Sequence, residues 1–240
     1  MIVFAGPSVP KDVRSLMVGI DWRPPAVAGD LLRLVAERPD RVLLIDGLFD
    51  EMASVKHKEA IALMETGTRL FGATSMGALR AAELAAFGMI PLGSIAKSYC
   101  RGHLVGDDEV ALVHGDDRIG WQAVSVAMVD VRATLMQAMR RGLIDRKEAK
   151  AVRTRWHDIH FVDRDWPRMV AEAKGIVPTQ TAERIAALHV PLKQRDAAGA
   201  LQEALRTAKA PGGTPTLHKT LFYEKLVAGI IVPSGPQSRA

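Results

Sequence analysis

Cysteine is almost missing from this chain: Cys100 stands alone in 240 residues. No intramolecular disulfide and no cysteine-based zinc site can form, and a lone thiol between Tyr99 and Arg101 is read as a buried structural residue. Aromatic residues are scarce at 5%, which removes the stacking surface that single-stranded nucleic acid requires. No stretch approaches the ~20 apolar residues of a membrane span. The opening MIVFAGPS has no basic stretch and too short an apolar run for a signal peptide. Long basic runs are missing as well. The net charge is +5, and the densest basic stretch, 140–155, is interrupted by Asp145 and Glu148. Such a surface attracts an acidic protein as readily as it attracts nucleic acid. Neither G-x-G-x-x-G nor G-x-x-x-x-G-K-S/T occurs, so nothing argues for NAD or ATP. These absences lead to the expectation of a cytoplasmic protein with no cofactor, no membrane partner and no nucleic-acid partner.

What is present is an alternation of short apolar runs and helical patterns. Strands are predicted at 2–5, 18–20, 41–45 and from 70, and helices at 11–17, 30–37, 55–66 and 76–87. Val42-Leu43-Leu44-Ile45 is a continuous apolar run, which suits a strand buried on both faces of a parallel sheet. Repeated strand–helix units predict an α/β fold: an open, mostly parallel, Rossmann-like sheet with flanking helices. Ligands of such sheets sit at the carboxyl ends of the strands. The turns there would be Gly6-Pro7-Ser8, Asp46-Gly47-Leu48 and 72–75. Beyond about Pro91 the pattern changes. A strand is predicted at 108–114, followed by helices at 122–141, 148–156, 166–174, 181–188 and 195–208, a loop at 211–215 and a frayed tail at 233–240. The expected organisation is an α/β core over 1–120, a helical C-terminal extension packed on it over 121–210, and a loop with a short terminal segment over 211–240.

The richest local signal is the stretch 68–84, TRLFGATSMGALRAAEL. Leu70-Phe71 leads into the small-residue turn Gly72-Ala73-Thr74-Ser75-Met76-Gly77, and a helical run follows. A serine at that corner has its hydroxyl above the sheet edge, with N–H groups of the helix start pointing at whatever it attacks. This is the pattern of a nucleophile elbow, with Ala73 where G-x-S-x-G has its first glycine. The competing reading of Ser75 is an ordinary helix cap. A nucleophilic serine requires a base, and His57 and His114 are the two candidates. Asp46, just past a buried strand, is a candidate to orient the histidine, and also an ordinary turn residue. The acidic group Asp107, Asp108 and Glu109 could orient that histidine, contact substrate or receive Arg80. With His103 or His114 it matches no established ligand spacing, and no metal is expected. Arg80 could clamp a carboxylate or sit in an internal ion pair. Gly6, Pro7 and Ser8 could bring N–H groups towards the Ser75 hydroxyl, beside those of Met76 and Gly77.

GATSMGALRAAEL resembles the signature of the TfuA-like proteins. Further blocks extend the resemblance in order: FAGPS (4–8), PPAVAGDLL (24–32), LLIDGLFDE (43–51), VKHKEA (55–60), GDDEVALVH (106–114) and AMVDVR (127–132). They are spread over a little more than half of the chain, and nothing beyond about Gly142 adds to them. The resemblance implies an accessory protein of YcaO-dependent thioamidation of peptide backbones, in ribosomally made natural products or in a methanogen enzyme. The implied partners are a YcaO-family enzyme and a ubiquitin-like sulfur-carrier protein, with the precursor peptide and a second copy of this chain as further candidates. Two activities are compatible with it. One is a serine-type hydrolase that releases sulfide from the thiocarboxylated carrier, with Ser75 as nucleophile and His57 as the first candidate base. The other is a non-catalytic adaptor that recruits or activates the YcaO enzyme.

Overall fold

The computed structural model describes residues 1–48, 53–207 and 215–231. Positions 49–51 of the fourth resemblance block, the loop at 211–214 and the tail at 233–240 lie outside the described residues. Five strands form one sheet: β1 (Ile2–Phe4), β2 (Asp21–Arg23), β3 (Arg41–Leu44), β4 (Arg69–Gly72) and β5 (Ile90–Pro91). All are parallel, in the order β2-β1-β3-β4-β5. The helices between them are α1 (Lys11–Ser15), α2 (Asp30–Glu37), α3 (His57–Glu65) and α4 (Met76–Leu84). After β5 come α5 (Gly93–Cys100), α6 (Met128–Arg140), α7 (Arg146–His157), α8 (Trp166–Glu172), α9 (Thr179–Ala187), α10 (Leu192–Arg206) and α11 (Leu221–Ile231). The chain is therefore an α/β protein with an open parallel sheet and a helical C-terminal region. No helix among the described residues is long and apolar enough to cross a membrane.

The period-two geometry of a strand explains why β3 is apolar throughout. Val42 and Leu44 face one layer, with Leu31, Leu34, Leu63 and Met76 from α2, α3 and α4. Leu43 and the following Ile45 face the other, where Ala197, Ala200, Leu201 and Ala204 of α10 pack with Phe71. Burying each large aliphatic side chain contributes about 1.5–3 kcal/mol, so the two layers hold the carboxyl ends of β3 and β4 firmly. A further core, built around Trp156, unites α6, α7, α8 and α9.

Several sequence expectations are corrected here. The segment predicted as a strand at 108–114 is a 3-10 turn at Asp107–Glu109 followed by irregular chain, with a lone bridge from His114 to Ala123. Three successive acids cannot line a buried strand. Instead Glu109 turns inward onto Arg132 and Asp108 onto His157. Helix α10 begins at Leu192, immediately after Pro191, three residues before its predicted start. The short β5 and the helix α5 were not anticipated. Cys100, at the end of α5, is exposed rather than buried.

Helix α4 approaches β3 so closely that only glycine fits at position 77. A Cβ built there would lie 1.8 Å from the Leu44 carbonyl oxygen, and the Gly77 N–H donates to the Ile45 carbonyl at 3.0 Å. Gly77→Ala must therefore push α4 off the sheet. The expected cost is about 3 kcal/mol or more, read as a lower urea midpoint. An unchanged midpoint would contradict this close packing.

Candidate active site

Strand order reverses between β1 and β3, which opens a crevice at their carboxyl ends where ligands of open sheets bind. Asp46 lines it. Its Oδ2 accepts from the N–H groups of Gly6 (2.7 Å) and Ser8 (3.0 Å), and its Oδ1 accepts from the Ser8 hydroxyl (2.7 Å). The N–H groups of the Gly6-Pro7-Ser8 turn are thereby used up, because proline has none to offer. That turn supplies no donor to Ser75, and Asp46 orients the turn rather than a histidine.

One strand further along, the corner after β4 lifts Ser75 over the rim. The positive φ of this turn falls on Thr74, at 68°, a conformation that costs a β-branched residue about 1–3 kcal/mol. Asp196 of α10 holds it, accepting from the Thr74 hydroxyl at 2.9 Å. The same carboxylate also accepts from the N–H groups of Ser94 (2.5 Å) and Ile95 (3.2 Å) at the start of α5. Ser75 itself occupies the cap position of α4, but its hydroxyl makes no capping bond. The oxygen accepts instead from Lys193 Nζ of α10, at 3.1 Å. Lys193 also donates to the Val110 carbonyl at 2.6 Å, and its own N–H is anchored on Asp130 Oδ1 at 2.8 Å.

Lys193 is 3% exposed. Loss of hydration pushes its pKa below the ordinary lysine value, against an opposing pull from Asp46 and Asp130. A lowered pKa favours the neutral amine, the form in which a lysine can take a proton from a serine hydroxyl. Ser75 and Lys193 open onto a cavity of about 280 Å³ whose walls include Asp46, Gly47, Val110 and His114. The Met76 N–H, first in α4, has no acceptor among the described residues. It is the free donor that a helix start leaves beside a nucleophile.

The histidines are placed differently from one another. His57 is half-exposed, and its Nε2 is bonded to Glu83 at 2.8 Å. Glu83 lies eight residues along α4 from Ser75, about 12 Å of helix, so His57 sits down the outer side of the layer and not at the rim. His114 does line the cavity, with Nδ1 bonded to the Gly115 carbonyl at 2.8 Å. Arg80 is committed inside the protein: its guanidinium reaches the Val55 carbonyl (2.8 Å), Ser54 (3.2 Å) and Glu83 (2.6 Å). Of the acidic group, Glu109 is buried against Arg132, Asp108 faces His157, and Asp107 is exposed. None of the three lines the cavity. No group of His, Cys, Asp and Glu among the described residues is arranged to hold a metal ion.

Lys193 was missed by sequence reasoning, yet it carried a signal. Residues 193, 196, 197, 200, 201 and 204 form one buried stripe of α10. A lysine and an aspartate inside an otherwise apolar stripe are rarely buried without partners.

The fold and this rim together define an open parallel α/β protein with a serine–lysine pair at the carboxyl edge of its sheet. The model of the TfuA-like protein family matches residues 46–165, half of the chain, and the chain belongs to that family. The match runs beyond the last recognised sequence block and includes Asp46, Ser75 and His114, whereas Lys193 lies outside it. No curated protein matches the chain significantly.

The buried amine has a consequence for stability. Because its pKa is lowered in the folded state, the unfolded chain binds the proton that the folded chain sheds. Wild-type stability should therefore rise with pH between the lowered value and that of free lysine. Lys193→Met removes this rise and leaves Tm at neutral pH within about 4 °C of wild type, since the lost bond to Val110 is offset by relief of the buried amine. Denaturant midpoints measured against pH check it, and an unchanged alkaline slope in the variant would contradict it.

Proposed function

We propose that this protein is a serine-type hydrolase that releases sulfide from a thiocarboxylated sulfur-carrier protein, with Ser75 as nucleophile and Lys193 as base. TfuA-like proteins are associated with YcaO enzymes in peptide-backbone thioamidation, which consumes sulfur delivered as sulfide or an equivalent. The observation that carries the reading is the 3.1 Å contact between Ser75 Oγ and Lys193 Nζ inside a cavity at the sheet rim.

In this scheme the Ser75 oxygen attacks the carbonyl carbon of the carrier's C-terminal thiocarboxylate and passes its proton to neutral Lys193. The oxyanion is received by the Met76 N–H, which has no acceptor among the described residues. Such a donor contributes about 10²–10³ in rate. The C–S bond then breaks, Lys193 returns the proton to the departing sulfur, and hydrosulfide leaves an ester on Ser75. Lys193 next takes a proton from water, whose oxygen attacks the ester; the carrier carboxylate departs and Ser75 regains its hydrogen. The Val110 carbonyl holds one amine hydrogen throughout and fixes the direction of the lone pair. A flexible glycine tail suits the narrow cavity.

Ser75→Ala and Lys193→Met should each lower sulfide release from purified thiocarboxylated carrier by at least about 10³-fold. Ser75→Ala should also fail to support thioamide formation from carrier-bound sulfur while excess free sulfide restores it. His57→Ala should retain near wild-type release. Should Ser75→Ala support thioamidation equally from both sulfur sources, the protein is an adaptor and the hydrolase reading fails.

A further inference from the structure

A larger cavity, about 630 Å³, opens between α5, α6 and α10, on the other side of the first turn of α10 from the serine–lysine pair. Leu192 and Arg195 line it, while Lys193 between them points to Ser75. Its floor is apolar, with Ile95, Leu104, Val129 and the half-exposed Met136. Its rim carries Arg132, Arg140, Arg141 and Arg195, and no carboxylate lines it. Arg132 is paired with Glu109. Arg140, Arg141 and Arg195 are exposed and make no side-chain hydrogen bond or ion pair with the described residues. Three exposed guanidinium groups with no carboxylate partner among the described residues therefore surround an apolar floor.

We infer that this cavity is the docking site for an acidic segment of a partner protein. The segment lays apolar side chains on Ile95, Leu104, Val129 and Met136, and its carboxylates meet Arg140, Arg141 and Arg195. Charge complementarity selects an acidic occupant. The unpaired arginines come from two places around the cavity: Arg140 and Arg141 at the end of α6, and Arg195 in the first turn of α10. That spread suits successive carboxylates of a polypeptide better than one small anion. Nucleic acid is disfavoured because the lining has no aromatic side chain on which a base could stack.

The test is fluorescence polarisation with a short fluorescein-labelled peptide of glutamate and leucine at helical spacing. The peptide should bind the wild-type chain. Binding should weaken about tenfold or more in Arg140→Glu/Arg141→Glu/Arg195→Glu, and similarly in Met136→Asp. Arg141→Glu alone, at an exposed position, serves if the triple variant does not fold. Replacing the peptide's leucines by serine should abolish binding. No wild-type binding, equal binding by the charge-reversed variants, or equal binding of the leucine-free peptide would overturn the proposal. So would tighter binding of decanoate or of a single-stranded oligonucleotide that displaces the peptide. None of these readings depends on Ser75 activity, so failure here is distinct from failure of the hydrolase reading.

Discussion

Moving a lysine amine out of water costs several kilocalories per mole unless the group sheds its proton or meets well-placed partners. At the carboxyl rim of this sheet burial lowers the pKa of such an amine, and partners receive its hydrogens. Lys193 is stripped of solvent, which favours the neutral amine, and what remains of its hydrogen-bonding capacity goes to the Val110 carbonyl and the Ser75 oxygen. Asp130 fixes the backbone of Lys193, at the start of α10 where a negative charge also complements the helix dipole. A buried amine with a lowered pKa beside a serine hydroxyl in a cleft is the kind of perturbed group that accompanies chemistry.

Helix α10 grips the corner after β4 at two consecutive residues. Lys193 reaches Ser75, and Asp196, one turn on, reaches Thr74 and also gathers the start of α5. The left-handed Thr74 and the uncapped Ser75 are thus held by a helix lying more than a hundred residues away in sequence. The apolar stripe of α10 that packs on Leu43, Ile45 and Phe71 sets the depth at which those two polar groups meet the corner. Gly77 completes the frame from the opposite layer, because the axis of α4 can approach β3 only where no Cβ intervenes.

Much of the fold was legible because its signals are local. The apolar run at 42–45 and the small residues at 72–77 each report one element directly. The turns after β1, β3 and β4 could be placed on one rim from strand–helix alternation alone. The serine–lysine pairing was not legible in the same way. His57 follows β3 in sequence, but its ring is bonded to Glu83, eight residues beyond Ser75, and strand order says nothing of that pairing. Lys193 is separated from Ser75 by 118 positions, and only its place in an apolar stripe marked it. The run Asp107-Asp108-Glu109 resembled the start of a strand until its carboxylates found Arg132 and His157 on neighbouring helices.

The proposed base is one that the local motif does not contain, contributed by a helix beyond the segment that matches the family. The most direct test of this account is the rate at which a fluorophosphonate labels Ser75, followed by intact mass as a function of pH. Labelling should rise with pH through an apparent pKa below that of free lysine, persist in His57→Ala and His114→Ala, and vanish in Lys193→Met. Labelling that survives in Lys193→Met, or that titrates near the histidine value and disappears with either histidine, would contradict it.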